Sequence, residues 1–252
     1  MTRALANRTT LAPSTEKIVY LMKILTWNCN GALRRKFNFL KQFDADILII
    51  QECENPGVTL DKNYKEWAKN YLWAGENNNK GLGIFAGDRI IMKILNWKTD
   101  GLKYFIACKI NNDFNLLGTW CHGANIRTFG YIGQLWKYLQ LHKKKLNKCL
   151  IAGDFNSNVI WDKRDRWWNH GDVVKELKEL KIESLYHKYN EAEEEGKESQ
   201  PTFYLHRDLK KPYHIDYVFA SDGFFESLKL VSIGQPEKWI GLSDHMPVFC
   251  EV

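Results

Sequence analysis

The chain reads as an α+β protein, a four-layered αββα sandwich of two mixed β-sheets packed face to face with helices outside. Three observations predict it: many short apolar runs bounded by Gly, Asn or Asp, a few segments of helical period, and no regular alternation of the two. The strand candidates are KILTWN from Lys23, ADILII at 45–50, LGIFAG at 82–87, YFIACKI at 104–110, FNLLGTW at 114–120, KCLIAGD at 148–154, HIDYVFA at 214–220, LKLVSI at 228–233 and PVFCEV at 247–252. They are rich in β-branched and aromatic residues, as strands require. Helical spacing, with an apolar residue every three or four positions, marks 34–43, 131–142 and 172–181. No linker, repeat or low-complexity tract divides the 252 residues, so 22–252 is read as one domain. Residues 1–21 lack periodicity and are read as an extension outside the fold, a disordered segment or a tag remnant.

Composition narrows the function classes. Hydrophobic residues make up 44% of the chain, enough for a large core, and no run approaches the ~20 apolar residues of a membrane span. The first twenty residues lack the apolar block of a secretory signal. Six scattered cysteines, mostly in or beside apolar runs, suit reduced thiols rather than a disulfide framework. The expectation is a soluble, cytoplasmic protein, monomeric, with no membrane and no obligate protein partner. A net charge of +6 permits a polyanionic partner. The cluster of Lys143, Lys144, Lys145 and Lys148 reads as a solvated helix end, and Glu193–Glu195 as a mobile acidic loop.

The polar residues that close the strands are the informative ones. Asn28 and Asn30 follow KILTW, Glu52 follows ILIIQ, and His122 follows LLGTWC; Asp154 and Asn156 close CLIAGDFN, Asp216 lies in HIDYVF, and Asp244 and His245 precede the last strand. Because side chains alternate along a strand, positions two apart share a face, so Asn28 with Asn30 and Asp154 with Asn156 are expected in one cleft. Each motif alone has a structural reading, since Asp and Asn are common in turns and caps. Together they supply carboxylates, amides and two imidazoles without a plausible Ser-His-Asp or Cys-His nucleophile. Such oxygen donors suit Mg²⁺ or Mn²⁺, and the inventory fits metal-assisted phosphoryl transfer: a carboxylate to activate water, donors to stabilise charge, an acid or metal for the leaving oxygen.

The motifs WNCNG (27–31), IIQE (49–52), WCHG (120–123), GDFN (153–156), HIDYVF (214–219) and SDH (243–245), in this order, resemble the endonuclease/exonuclease/phosphatase superfamily, with the deoxyribonuclease I and exonuclease III fold. The resemblance covers 22–252. It implies a divalent-metal-dependent phosphodiester hydrolase, a nuclease acting on DNA or RNA by in-line attack of water, with a small-molecule or lipid phosphoesterase as the alternative. Residue by residue it implies Glu52, Asn28 and Asp244 at the metal, Asp154 as the base, Asn156 on the reacting phosphate, His245 contacting phosphate and oriented by Asp216, and His122 as the second imidazole. Asn30 is a substrate or metal contact. Members specialised for abasic DNA usually have a Tyr-Pro-Asn segment where WCHG stands, so this chain looks more like the deoxyribonuclease, deadenylase and phosphodiesterase branches. A catalytically silent binding module would be expected to have lost a base, ligand or histidine, and none is missing. After GDFN, Trp161, Arg164, Arg166, Trp167 and Trp168 interleave rings and cations, as stacking on unpaired bases with phosphate contacts requires. Burial of one or two of these tryptophans under the loop is the competing reading.

Overall fold

The structure, a computed structural model, describes residues 21–123 and 129–252. Residues 1–20, nearly all of the expected extension, lie outside the described residues. The strands are β1 (Lys23–Asn28), β2 (Ile47–Cys53), β3 (Tyr71–Asn77), β4 (Lys80–Ala86), β5 (Met92–Ile94), β6 (Phe105–Ile110), β7 (Phe114–Trp120), β8 (Cys149–Asp154), β9 (Ile182–Ser184), β10 (Phe203–Tyr204), β11 (Pro212–Tyr213), β12 (Asp216–Ser221), β13 (Leu230–Ile233) and β14 (Val248–Glu251). The helices are α1 (Phe37–Leu40), α2 (Lys62–Trp67), α3 (Ile132–His142), α4 (His170–Glu179), α5 (Leu185–Tyr189) and α6 (Pro236–Trp239).

Two six-stranded sheets form, in the orders β13-β14-β1-β2-β4-β3 and β5-β6-β7-β8-β12-β9, with β10 and β11 as a separate hairpin. Each sheet is mixed, because β1 and β2 run parallel in one and β7 and β8 in the other while their neighbours are antiparallel. Alternation along β8 explains the layering. Leu150 and Ala152 enter the core between the sheets, whereas Cys149 and Ile151 meet Ile132, Leu135 and Leu139 of α3 and Val173 and Leu177 of α4. On the other outer face, Phe37 of α1 packs at a tilt against Tyr64 and Trp67 of α2, and Trp27 meets Trp239 of α6 edge-on. Burial of these faces drives the fold, at roughly 25 cal/mol per Å² of apolar surface.

The expected helix at 34–43 is instead two 3-10 turns flanking the single turn of α1. Left-handed Ala32 and Asp44 bracket it, so the segment has no room to propagate. The other two helices form within two residues of expectation. All six cysteines are buried and unpaired. Among the described residues no helix is long and apolar enough to cross a membrane.

Candidate active site

The C-terminal ends of β1, β2, β7 and β8 and the N-terminal ends of β12 and β14 meet at one edge of the sandwich. On β8 the face shared by Leu150 and Ala152 extends to Asp154, and on β12 the face of Val218 and Ala220 extends to Asp216, so both carboxylates point into the end of the inter-sheet gap. The two residues are direct register partners. From the opposite sheet Asn28 reaches across, its Nδ2 donating to Asp154 Oδ2 at 2.9 Å. The gap ends in a cleft of about 340 Å³ lined by Asn28, Glu52, His122, Asp154, Asn156 and Asp244, with His245, Trp120, Gly123, Tyr131 and Phe203.

The glycine of GDFN is what allows the strand to pass here. Gly153 has φ +152°, and a Cβ there would stand 1.8 Å from the Thr119 carbonyl oxygen. The next ring, Phe155, is fully buried and stacks on Phe219 at 5.5 Å, which anchors Asp154 from below. Asn156 and Asn30 do share the cleft with Asp154 and Asn28, but not through strand pleating. Each is a left-handed residue (φ 48° and 50°) closing a turn in which its N–H donates to the side-chain oxygen two positions back, at 2.8 and 3.0 Å. Asn tolerates this region, which is why it stands at both positions. Asn156 Nδ2 then donates to Asp154 Oδ2 at 2.8 Å, and Asn30 Nδ2 to Asp244 Oδ1 at 2.9 Å.

Glu52 reaches the cleft by a bulge. Gln51 points between the sheets, donating to Thr26 Oγ1, so strict alternation would turn Glu52 outward. The β2–β4 register shifts at this point and Glu52 takes φ 62°, which re-aims its carboxylate towards Asn28 Nδ2, 3.4 Å away. A left-handed Glu costs on the order of 1–3 kcal/mol, the kind of strain that persists at functional sites.

His245 is oriented from three sides. Its Nδ1 donates to Asp216 at 2.9 Å, its backbone N–H donates to Ser243 Oγ at 3.0 Å, and its carbonyl accepts from the Trp27 indole at 2.9 Å. Asp216 is itself held by Thr202 Oγ1, which accepts the Asp216 N–H at 3.0 Å. That fixes the tautomer, leaving Nε2 facing the cleft 4.0 Å from Asp154 Oδ2. Burial pushes the imidazole pKa down, but the Asp216 and Asp154 carboxylates more than reverse this, so the ring is held as imidazolium at neutral pH. Burial pushes the Asp154 carboxyl up, against the attraction of His245 and with the repulsion of Asp216. His122 packs edge-on to Trp120 at 4.6 Å, and burial, with the Lys80 charge, pushes its pKa down.

The donor set fits a hard divalent cation. Glu52 and Asp244 offer carboxylate oxygens and Asn28 an amide oxygen that also accepts the Asn30 N–H, and a cation already leans on Glu52: the Lys80 ammonium lies 2.8 Å from Oε2. Asp154, Asp216 and His245 also lie close enough to share an ion. The Asp216–His245 hydrogen bond occupies those donors, so this trio is read as an acid–base group.

The sequence-derived residues thus converge, with Asp216 behind His245 and Asn30 beside Asp244. Trp161, Arg164, Arg166, Trp167 and Trp168 do not line the cleft. Trp161 and Trp167 are exposed, and Trp161 packs on Tyr213 at 5.0 Å. Arg166 Nε donates to Asn169, and its guanidinium covers Trp168, which also packs against Phe129. Reading motifs missed Lys80, Tyr131, Thr202 and Phe203, the last packed at a tilt against His245 with ring centroids 4.6 Å apart. Only Lys80 had a local signal, a cation in the ENNNKG turn between two strands.

The model of the endonuclease/exonuclease/phosphatase family matches residues 25–245, nearly all of the described fold. The chain belongs to that family. A search of curated proteins finds no match. Among solved structures it is similar to a 3′ phosphatase from Neisseria bound to a product DNA hairpin, at 18% identity and TM-score 0.68 over 91% of this chain and 98% of that one. It is also similar to an AP endonuclease from Archaeoglobus fulgidus, at 19% identity and TM-score 0.65 over 91% and 98%. A third is the catalytic domain of Xenopus laevis APE2, at 16% identity and TM-score 0.65 over 91% of each chain. These likenesses fix the fold of this family member as the two-sheet sandwich described above.

Proposed function

We propose that this family member is a divalent-metal-dependent phosphodiester hydrolase acting on DNA, with Mg²⁺ or Mn²⁺ as its ion. The observation that carries the reading is the Asp154–His245–Asp216 constellation, a buried carboxylate facing an imidazolium, beside the oxygen donors of Glu52, Asn28 and Asp244. Glu52 with Asn28 and Asp244 would hold the ion, which when bound supplies charge stabilisation to phosphoryl oxygens.

The chain's own residues do the rest. Burial raises the proton affinity of Asp154, and its hydrogen bonds to Asn156 and Asn28 fix its direction, so the carboxylate accepts a proton from an attacking water. His245, kept charged by Asp216, donates from Nε2 to a non-bridging phosphate oxygen as negative charge grows there. The Asn156 amide is a second donor at the same wall. His122, on the opposite wall, contacts the phosphate from the leaving side. Phe203 and Trp120 are apolar walls that exclude water around His245 and His122. That the similar structures include DNA-processing enzymes supports DNA as the polymer.

The test is a panel on the purified protein with Mg²⁺ or Mn²⁺, covering single-stranded and duplex DNA, RNA and small phosphoesters. Turnover of DNA well above the others is expected. Cleavage of small phosphoesters alone would overturn the substrate assignment.

A further inference from the structure

On the helix-covered side of the second sheet, outside the cleft, lies a cluster of histidines and glutamates from four separate elements. His170 is the first residue of α4, His187 belongs to α5, Glu195 and Glu198 lie in the loop after α5, and His214 precedes β12. Five of their polar atoms have no hydrogen-bond partner among the described residues. His170 is fully buried and neither ring nitrogen has a hydrogen-bond partner among the described residues; His187 Nε2, His214 Nε2 and Glu195 Oε2 also have none. Buried polar groups are normally paired, and an unpaired one costs about 1–3 kcal/mol, so five such atoms in one place call for a missing partner.

The spacing indicates what that partner is. His187 Nε2 stands 3.5 Å from Glu198 Oε1 and His170 Nε2 3.8 Å from Glu195 Oε2, while the other nitrogen of the His187 ring, Nδ1, lies 3.5 Å from Glu195 Oε1. These exceed a good hydrogen bond, yet ligands around a tetrahedral ion with bonds of about 2.0–2.2 Å sit roughly 3.3–3.6 Å apart. His187, Glu195 and Glu198 bring one ligand atom each within 4.8 Å of one another.

The surrounding hydrogen bonds prepare the same atoms. His214 Nδ1 donates to the Gln200 carbonyl at 2.8 Å, which leaves its Nε2 with the lone pair, and Ser184 Oγ lies 2.9 Å from His187 Nδ1 and positions that ring. Glu198 is held by Asn158 Nδ2 and by the Gly196 N–H, each at 3.1 Å. The two carboxylates carry a charge matched to a divalent cation. The open side is a cavity of about 430 Å³ whose lining includes five glutamates, Glu183, Glu191, Glu193, Glu194 and Glu195, against the lysines Lys178 and Lys188. It gives a cation an acidic approach.

We propose that His170, His187, Glu195 and Glu198 bind one divalent transition-metal ion of the zinc class, with His214 flanking them, as a structural site separate from the catalytic cleft. Mixed imidazole and carboxylate donors select zinc-like ions over Mg²⁺. The ion clamps the start of α4, α5 and the 191–198 loop. That loop leads directly into Thr202, whose hydroxyl holds Asp216, so the site braces the floor of the cleft from behind.

The test is Zn²⁺ titration of chelator-stripped full-length protein, read by bound metal per chain after dialysis, by melting temperature, and by the visible spectrum with Co²⁺ in its place. One tightly bound equivalent is expected, with a rise of several degrees saturating at one Zn²⁺ and the intense visible bands of four-coordinate Co²⁺. Glu52→Gln should keep that equivalent, whereas His187→Gln and Glu195→Gln should each lose it. Should His187→Gln fail to fold, Glu195→Gln and the wild-type Co²⁺ spectrum still decide. No bound equivalent in the wild type would leave only an ion-pair network of imidazolium and glutamates, and overturn the proposal. So would an equivalent lost in Glu52→Gln but retained in Glu195→Gln.

Discussion

Asp154→Asn separates the chemistry from the fold. In the wild type, Oδ1 accepts the Asn156 N–H at 2.8 Å, and Oδ2 accepts from Asn28 and Asn156 side chains at 2.9 and 2.8 Å. The new amide keeps the first bond, and Asn156 can rotate its own amide to accept. Asn28 cannot follow, because its Oδ1 already accepts from Asn30. One donor-against-donor contact therefore remains, costing about 1–3 kcal/mol. Against it stands the ionisation of a fully buried acid. Burial raises the folded-state pKa of Asp154 above its unfolded value, so its contribution to stability is greatest at low pH and is lost as pH rises through the raised folded value. Each unit of that rise costs about 1.4 kcal/mol, and Asn removes the cost.

In metal-free protein the melting temperature of the variant should therefore gain on the wild type between pH 5 and pH 8, with the two within a few degrees or the variant higher at pH 8. Turnover with metal should fall by about 10²–10⁴, roughly 2.7–5.5 kcal/mol in the barrier, as for a lost general base. Calorimetry across pH and steady-state cleavage make the two measurements. Near-normal turnover, or a variant that loses ground as pH rises, would refute the reasoning.

Three further outcomes are expected. Lys80→Ala removes a half-exposed ammonium 2.8 Å from Glu52, so Mg²⁺ or Mn²⁺ affinity without substrate should rise by the roughly 1.4–5-fold that an exposed ion pair of ~0.2–1 kcal/mol allows, measured by titration calorimetry. Gly153→Ala drives a methyl into the Thr119 carbonyl at a φ unfavourable to Ala, and should cost about 2–6 kcal/mol by urea unfolding; an unchanged midpoint would contradict the geometry. If the loop after GDFN meets an unpaired strand, Arg164→Ala in the Asp154→Asn background should flatten the salt dependence of oligonucleotide binding by up to ~0.7 in log–log slope, and Trp167→Ala should weaken binding at unchanged slope. Arg166 and Trp168, packed on each other, should instead lower stability when replaced.

The sandwich was legible because its strands are short apolar runs with the right punctuation, and the two longer helices because their apolar period is clean. The site was legible because its polar residues close those strands. What pattern reading could not show is how Glu52 turns inward, since alternation predicts the opposite face and only the bulge reverses it. Nor could it show that Asn30 and Asn156 enter through left-handed turns rather than pleating. The break-up of 34–43 was hidden because amphipathic spacing is silent about left-handed residues at both ends. The acidic run read as a mobile loop holds Glu193, which accepts from the Tyr186 hydroxyl at 2.7 Å, and Glu195, which faces two histidines. Residues 170, 187, 195 and 198 show no common motif spacing, so only the packing of α4 and α5 on β9 brings them together.

The most direct measurement of the central claim is DNA cleavage by the purified protein with Mg²⁺ or Mn²⁺, repeated in excess chelator and with Glu52→Gln. Turnover should vanish in chelator while the fold survives on its own core, return on adding the ion, and need far more metal in Glu52→Gln. Full turnover in excess chelator, or a Glu52→Gln enzyme with unaltered metal dependence, would contradict the assignment.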